Sequence, residues 1–351
     1  LGVPPGAIHM KAAIAFALVT TSIATSAYAQ DEAVAETTST DTTLAEAAAP
    51  PEAAATTGDT PAADTAKPKP PYSLPWQLRP TGVATVLRSD TAVMLYKPKG
   101  GDESGSNIAT TLLFAYKLTD EIGPLIRVGY VSNSPPAPGE SAGAFMNPAL
   151  GVTWAPKLGG SIKVAAFLGV ALPLGSTYDA PGDKTNAALG TGIRARSSMD
   201  NAMFAVNDLT VFPGVGVAYV ADGLTVQGEI TVLQLTRVRG DDVQEDKSKT
   251  NFTSGIHVGY FVMPMLSIGA ELRHQRWLST PSFIEADEAS GGPDTGARDD
   301  TTAAIGPRFH FKLGDSMWLR PGIAYARHLD GPVTKGMDSH HIFQLDIPIS
   351  F

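Results

Sequence analysis

The sequence contains no cysteine, which excludes disulfide frameworks, iron-sulfur clusters, cysteine-based zinc sites and lipid attachment at a cysteine. It also lacks any run close to the roughly 18 apolar residues that a membrane-spanning helix needs. Charged residues make up 17% of the chain, where about a quarter is usual for a soluble domain. The 35 glycines and 27 prolines follow no fixed period, which excludes collagen-like and coiled-coil chains. A soluble β-rich protein or a membrane β-barrel remains.

The first 29 residues have the features of a secretory signal peptide. Lys11 precedes a short apolar run over residues 12–19, and the sequence Ala-Tyr-Ala at residues 27–29 is typical of a cleavage site. An amphipathic helix at the start of a cytosolic protein is the alternative, but it leaves that spacing unexplained. We therefore expect cleavage after Ala29.

Residues 30–71 consist mainly of Ala, Thr, Pro and Glu and contain no aromatic residue. Such a composition cannot bury a core and predicts a disordered segment. Eight acidic residues against two lysines leave it six charges negative, so most of the net charge of −9 belongs to this segment. The acidity argues against a nucleic-acid partner.

Alternating apolar and small or polar residues recur throughout residues 72–351, in stretches long enough for the 9 to 11 or so residues of a tilted transmembrane strand. The pattern predicts twelve strands. They span residues 82–95, 107–117, 124–133, 145–156, 161–173, 203–220, 224–237, 251–262, 266–277, 302–313, 317–328 and 340–351.

The connections between these strands alternate in length. Five are short, at residues 119–123, 157–160, 221–223, 263–265 and 314–316. Six are long and polar, at residues 97–106, 134–143, 174–201, 239–250, 279–301 and 329–339. Short turns at one rim, long loops at the other and an even strand count predict an all-β fold, a transmembrane antiparallel up-and-down barrel of about twelve strands.

Two faces can be separated along each strand. Ile162, Val164 and Leu168, for example, share one face that is apolar enough for lipid. Aromatic residues near the ends of strands predict two girdles at the membrane surfaces. They are Tyr116, Trp154, Tyr219 and Tyr260 near short turns, and Tyr130, Trp277 and Tyr325 near long loops.

The last strand carries a family resemblance. Phe343, Leu345, Ile347, Ile349 and Phe351 alternate with more polar residues, which resembles the terminal strand of bacterial outer-membrane β-barrel proteins. The resemblance implies that Phe351 belongs to the signal read by the barrel-assembly machinery, and that the protein lies in the outer membrane of a Gram-negative bacterium. Outer-membrane lipid and lipopolysaccharide would then be its surroundings. No motif assigns a particular family.

The alternation also predicts which charged side chains point into the lumen. They are Arg88, Arg127, Lys163, Glu229, Glu271, Arg273, Arg308, His310, Arg320 and Asp346. Six fixed cations against three carboxylates in this set would slightly favour anions in an open pore. A structural interpretation is equally open, because Glu271, Arg273, Arg308, Arg320 and Asp346 lie on consecutive strands and could neutralise one another.

Two clusters of residues in the sequence are candidate chemical sites. Acidic residues crowd loop 279–301, and Asp299 and Asp300 are weak candidates for holding a hard cation; a solvated loop that reaches lipopolysaccharide through divalent cations is the alternative. The second cluster is Ser339, His340 and His341, which contains the serine and histidine that outer-membrane lipid hydrolases use on the barrel wall. Adjacent strand residues point to opposite faces, so Ser339 and His340 cannot pair without a bend.

The sequence thus predicts a non-enzymatic porin-like channel for passive diffusion of small polar or anionic solutes, with no cofactor and with loop 174–201 constricting the lumen. Two alternatives stay open, a non-conducting structural or surface barrel and a lipid-modifying enzyme. The predicted organisation is residues 1–29 as upstream residues and signal peptide, 30–71 as a disordered periplasmic segment and 72–351 as the barrel.

Overall fold

The computed structural model describes residues 72–178, 180, 182–240, 246–289, 297–314 and 316–351. The predicted signal peptide and the predicted disordered segment, residues 1–29 and 30–71, lie outside the described residues. So does part of the acidic loop, residues 290–296.

Most of the described chain is β-strand. The strands are β1 Val86–Pro98, β2 Gly105–Ala115, β3 Ile122–Ser134, β4 Ala142–Phe145, β5 Ala149–Trp154, β6 Ile162–Ala171, β7 Asp208–Ala221, β8 Leu224–Arg237, β9 Ser248–Met263, β10 Leu266–Trp277, β11 Asp299–Phe309, β12 Phe311–Leu313, β13 Met317–Leu319, β14 Gly322–His328 and β15 Met337–Ser350. The helices are α1 Lys184–Ala195, α2 Asn201–Phe204, α3 Ser282–Ala289 and α4 Gly331–Gly336. In the described residues no helix is both long and apolar enough to cross a bilayer.

These strands form a closed antiparallel barrel. Its wall runs β1-β2-β3-β5-β6-β7-β8-β9-β10-β11-β14-β15, and β15 pairs back onto β1 with Val86 opposite Ser350. β4 continues the β5 line against β3, while the short pair β12 and β13 lies at the turns between β11 and β14. The prediction of a twelve-stranded antiparallel barrel is confirmed.

The two rims differ as predicted. At the turn end, tight connections include Asp222 and Gly223 between β7 and β8, with φ of 50° and 80°. Two consecutive positive φ values are those of a type I′ turn, whose twist suits a β-hairpin. At the loop end, the longer connections carry helices: α1 and α2 follow β6, α3 follows β10 and α4 follows β14.

The outer surface of the barrel is apolar. Exposed side chains such as Ile126, Val152, Val217 and Ile256 alternate along the strands with buried inward residues. Tyr116, Trp154, Tyr219 and Tyr260 are about half exposed near the turn end, as the predicted girdle requires.

One aromatic assignment was wrong. Trp277 packs against the buried apolar cluster inside the barrel rather than facing outward. Its strand neighbour Arg276 is exposed, and because successive strand residues alternate in direction, Trp277 points inward. The direction of an aromatic side chain near a rim therefore depends on its place in the strand alternation as well as on its distance from the rim.

The first wall strand begins at Val86, four residues later than the predicted start at residue 82. Residues 72–81 precede it and lie inside the barrel rather than in its wall, as the contacts of Ser73, Trp76 and Arg79 with inward side chains show. Most of the buried apolar core also lies inside the barrel, where α1 and α2 meet the wall around Val131, Leu189, Phe204 and Leu235.

Candidate functional site in the lumen

A stretch of chain ahead of the first strand occupies the lumen near the turn end. We call residues 72–81 the lumen segment. Ser73 donates its backbone N–H to Thr225 Oγ1 at 3.0 Å on β8. At the far end, the Thr81 N–H donates to the Tyr72 hydroxyl at 3.3 Å, so the segment enters and leaves at neighbouring points.

The wall is shaped to receive this segment. Glycines occur on the inward faces of β9 and β10 where the segment comes closest. A Cβ atom at Gly259 would stand 2.1 Å from Ser73 Oγ, and one at Gly255 would stand 2.7 Å from Leu78 Cδ1. Since non-bonded atoms cannot approach so closely, any other residue at these two positions would require the side chains of the segment to shift.

Carboxylates of the wall hold the backbone of the lumen segment. The Trp76 N–H donates to Glu271 Oε1, and the Gln77 N–H donates to Glu271 Oε2 at 3.3 Å. Glu229 accepts both from the Arg79 N–H and from its guanidinium, each at 2.5 Å. Charged acceptors make stronger hydrogen bonds than neutral ones, so these two glutamates are the main polar anchors of the segment.

Arginines of the wall also bind the backbone of the lumen segment. Arg88 and Arg308 share the Asp346 carboxylate, at 2.7 Å and 2.6 Å. Both also donate to backbone carbonyls of the segment, Arg88 to Pro75 at 3.1 Å and Arg308 to Leu74 at 3.2 Å. The proline at position 75 has no N–H to donate, and its carbonyl is satisfied by the wall.

A second insertion fills the lumen from the loop end. We call residues 182–207, which include α1 and α2, the lumen loop. Its Arg196 is fully buried and contacts Asp90 of β1 at 2.7 Å and Asp200 at 2.8 Å. Arg127 of β3 donates to Asp200 at 2.6 Å. The predicted constriction by loop 174–201 thus has a structural basis in a helical insertion.

The electrostatics of this contact follow from burial and pairing. Burial alone would raise the pKa of the Asp200 carboxyl, but the facing guanidinium groups of Arg127 and Arg196 lower that pKa well below its usual range. Asp200 is therefore ionised at neutral pH. A buried charge persists when it is paired in this way.

The lumen loop also contacts the wall at two serines that have an uncommon backbone conformation. Ser197 and Ser198 have φ of 55° and 53°, a left-handed conformation that is uncommon for residues other than glycine. Ser198 Oγ donates to Asp300, whose other oxygen stands 2.6 Å from His328 Nδ1. The two serines are held in this conformation by hydrogen bonds to the wall.

One wall residue connects both insertions. Arg273 donates to Ser197 Oγ of the lumen loop at 3.0 Å and, through Nε, to Glu271 at 2.8 Å. Glu271 in turn accepts from the lumen segment. Arg273 also donates to Gln344, which donates to Asp90 at 3.0 Å. The two insertions therefore share one hydrogen-bond network.

Between the two insertions lies a small cavity of about 90 Å³. The lumen segment bounds it with Gln77 and Arg79, the lumen loop with Met199 and Met203, and the wall with Arg127 among others. It has room for several waters.

All ten predicted lumen residues lie in the part of the chain that the structure describes. Seven belong to the contacts just described: Arg88, Arg127, Glu229, Glu271, Arg273, Arg308 and Asp346. Lys163 Nζ stands 5.2 Å from the Tyr72 ring centre, and His310 is hydrogen-bonded to Ser267 at 2.9 Å. Arg320 lies over the Trp318 ring at 5.2 Å. That any of them lines a solute path stays a prediction.

The proposed neutralising network exists in part. Glu271 pairs with Arg273 at 2.7 Å, and Arg308 pairs with Asp346 at 2.6 Å. Sequence reasoning missed Asp90, although it lies two residues beyond Arg88 and so on the same face of β1. Arg79, Arg196 and Asp200 were also missed, because they lie outside the strands where alternation assigns no direction.

Asp299 and Asp300, the two weak candidates for metal ligands, point to different sides of the barrel wall. Asp300 faces inward to His328 and Ser198, whereas Asp299 binds Arg276 on the outer side at 3.1 Å. Within the residues that the structure describes, no three His, Asp or Glu side chains are grouped to hold a metal ion.

The two histidines of the cluster at residues 339–341 also point in different directions. His340 is buried and accepts from the His328 N–H at 3.2 Å, whereas exposed His341 contacts the Tyr325 hydroxyl at 3.0 Å. The two histidines therefore serve different faces of β15, as strand geometry predicts.

Phe351 follows β15 and is 56% exposed. Its backbone N–H donates to the Thr85 carbonyl at 3.0 Å, next to the seam that closes the barrel. Its role in assembly stays a prediction.

Comparisons with known proteins bear on the whole barrel. No family model and no curated protein matches the sequence. Among solved structures, the chain is similar to the COG4313 outer membrane channel from Pseudomonas putida F1, with 13% identity over 79% of this chain and 98% of that one and a TM-score of 0.48. It is also similar to the NanC porin, with 9% identity over 76% and 98% and a TM-score of 0.45. It is similar as well to the translocator domain of autotransporter NalP from Neisseria meningitidis, with 11% identity over 78% of this chain and 90% of that one and a TM-score of 0.41.

Proposed function

We propose that this protein is a channel for the passive passage of small polar solutes across the Gram-negative outer membrane. It would reach that membrane by export, with cleavage of the signal peptide. In the conformation described, the lumen segment and the lumen loop close it. The observation that carries the proposal is the chemistry of the wall behind the lumen segment. Thr225, Gln227, Glu229, His257 and Glu271 are all buried there and all polar.

Such a wall suits a water-filled path once the lumen segment leaves. The segment contributes Trp76 and Leu78 to the interior, but it is held at Glu229 and Glu271 by hydrogen bonds that water can replace. Twelve strands give a diameter between filled eight-stranded barrels and the aqueous sixteen-stranded porins. A narrow pore follows for the open state.

Selectivity in that open state is expected to be weak. The predicted set of lumen charges held more cations than carboxylates, but Asp90 and Asp300 also face inward and reduce the excess. Arg79 leaves with the segment and exposes Glu229. We therefore expect only a slight preference for anions among small polar solutes.

The test removes the lumen segment and measures single-channel conductance in planar bilayers. Deleting residues 72–81 removes no part of the wall, because the first wall strand begins at Val86, so the wall should still close. The deletion variant should open more often and for longer than the full chain, because it lacks one of the two insertions and the contacts through Arg273 that join the segment to the lumen loop are lost. The full chain should be closed or conduct in brief, small steps. Deleting residues 55–64 instead is the control of equal length, and it should behave like the full chain.

A non-conducting structural barrel is the second candidate, and the filling of the lumen by two insertions favours it. In that case the deletion of residues 72–81 stays silent at every voltage even though the barrel inserts and resists heat on a gel. That result would overturn the channel proposal.

A further inference from the structure

A buried histidine joins the barrel wall to the lumen loop. His328 is the last residue of β14 and is 2% exposed. Its Nδ1 stands 2.6 Å from Asp300 Oδ1 on β11. Its Nε2 stands 2.9 Å from the backbone carbonyl oxygen of Arg194 in α1. Both nitrogens of the ring therefore face oxygen atoms, one of the wall and one of the lumen loop.

These oxygen atoms determine how many protons the ring carries. A backbone carbonyl and an ionised carboxylate can only accept hydrogen bonds, and a neutral imidazole has a single N–H, so it satisfies only one of them. The imidazolium has an N–H at both nitrogens and satisfies both. A proton on Asp300 instead of the ring is disfavoured, because imidazole is the stronger base. Thr302 Oγ1 also lies near Nδ1, but at 3.2 Å it is farther away than the carboxylate.

The position of the ring at a helix end also favours the charged form. Arg194 lies in the last turn of α1, a helix of 12 residues that ends at Ala195. The carbonyl end of a helix carries a partial negative charge, which stabilises a cation placed next to it. Asp300 adds a carboxylate on the other side of the ring. A proton on His328 is thus stabilised from both sides.

The other charged and titratable groups around the ring are an arginine, a histidine and a lysine. The Arg194 guanidinium is within electrostatic range of Asp300 and competes with His328 for that carboxylate. His340 of β15 has its ring centre 5.5 Å from that of His328, and its Nε2 accepts the His328 backbone N–H at 3.2 Å. That nitrogen of His340 therefore carries no proton. Lys335 of α4 is exposed to solvent. The two acceptors in direct contact with the ring oppose the single nearby cation.

We propose that His328 is a proton-binding site that holds the lumen loop against the wall and releases it as the pH rises. When the ring loses a proton, the remaining N–H stays on Nδ1, because a hydrogen bond to a carboxylate is stronger than one to a neutral carbonyl. Nε2 then presents a lone pair to the Arg194 carbonyl oxygen, and the two atoms repel each other. The end of α1 is therefore the part of the loop that is released. Control of conductance by this proton rests on the proposed channel function, but the contact itself does not.

Nuclear magnetic resonance tests the protonation state in the full-length protein, labelled with ¹⁵N in its histidine rings and held in detergent micelles. His328→Gln identifies the His328 signals by their loss. At pH 7 the wild type should show a proton on both ring nitrogens of His328. One protonated and one unprotonated nitrogen at that pH would overturn the proposal.

Hydrogen exchange tests the release of the loop. The backbone amides of residues 194–198, corrected for the pH dependence of the intrinsic rate, should exchange about tenfold faster once alkaline pH has removed the proton. In His328→Gln the exchange should already be faster at pH 7 and should not change further above that pH. His341→Gln is the matched control, because His341 is exposed and contacts the Tyr325 hydroxyl, so it should keep the wild-type response. The same alkaline rise in His328→Gln, or no rise in the wild type, would overturn the proposal.

A second variant tests the carboxylate beside the ring. Asp300→Asn keeps an oxygen acceptor at nearly the same volume but removes the negative charge, so the loop should be released at a lower pH than in the wild type. An unchanged midpoint would overturn the part given to Asp300. Silence in the bilayer experiment would leave these exchange results intact, so the two proposals fail separately.

Discussion

The Arg273 guanidinium donates to the Ser197 hydroxyl at 3.0 Å, and this bond joins the barrel wall to the lumen loop. The same guanidinium holds Glu271, which binds the lumen segment. Two insertions that enter from opposite rims are therefore stabilised by one side chain. Loss of either insertion should weaken the hold on the other.

Replacing Arg273 tests this coupling. Arg273→Met should leave Glu271 as a buried charge without its partner, at a cost of about 3–5 kcal/mol, and should raise the frequency of channel openings. Adding Glu271→Gln removes that charge, so the double variant should recover part of the lost stability. Urea unfolding of the single and double variants measures the coupling energy, and strictly additive effects would contradict the shared network.

The wall glycines allow a second test. Gly259→Ala places a methyl group where Ser73 Oγ would stand 2.1 Å away, so it should displace the lumen segment and raise conductance. Gly216→Ala is the matched control, because a Cβ there meets Thr81 at an ordinary 3.4 Å. Chymotrypsin cleavage after Trp76 reports the displacement directly, because Gln77 and not proline follows it. Equal protection of Trp76 in both variants would show that the segment does not depend on this space.

The barrel was predictable because its signal is local and repetitive. The period of two in strand 162–171 and the alternation of loop lengths set strand number, faces and rims. The lumen segment was not predictable, because nothing near Arg79 in the sequence indicates Glu229, 150 residues away. The lumen loop was predicted to constrict the lumen, but its pairing of Arg196 with Asp90 comes from tertiary structure alone.

Acidity should release the lumen loop only under strongly acid conditions. The pKa of Asp200 is lowered in the folded protein, against a reference of about 3.9 in an unfolded chain. Its contribution to stability is therefore present in full above about pH 4 and is lost as the pH falls further toward the folded pKa. Hydrogen exchange of the backbone amides of residues 194–201, measured at each pH and corrected for the pH dependence of the intrinsic exchange rate, should stay slow down to about pH 4 and become faster only in stronger acid.

Asp200→Asn separates this effect from general acid unfolding. The variant removes the titrating group and leaves Arg127 and Arg196 with a neutral partner. It should show faster exchange at pH 7 as well, with little further rise in acid. A steep acid-dependent rise like that of the wild type would place the titration at another group.

The shared carboxylate of Asp346 gives the last prediction. Arg308 and Asp346 are almost fully buried, and Asp346 also holds Arg88. Asp346→Asn removes the charge that both arginines face and leaves two guanidinium groups next to the carbonyls of Leu74 and Pro75. Unfolding in urea should show a loss of about 3–5 kcal/mol. Asp338→Asn is the matched control, because Asp338 is exposed and accepts only a hydrogen bond from the Gly100 N–H among the described residues, so its effect should stay within about 0.5 kcal/mol. If the two variants unfold alike, the Asp346 pairs contribute no more to stability than a surface contact does.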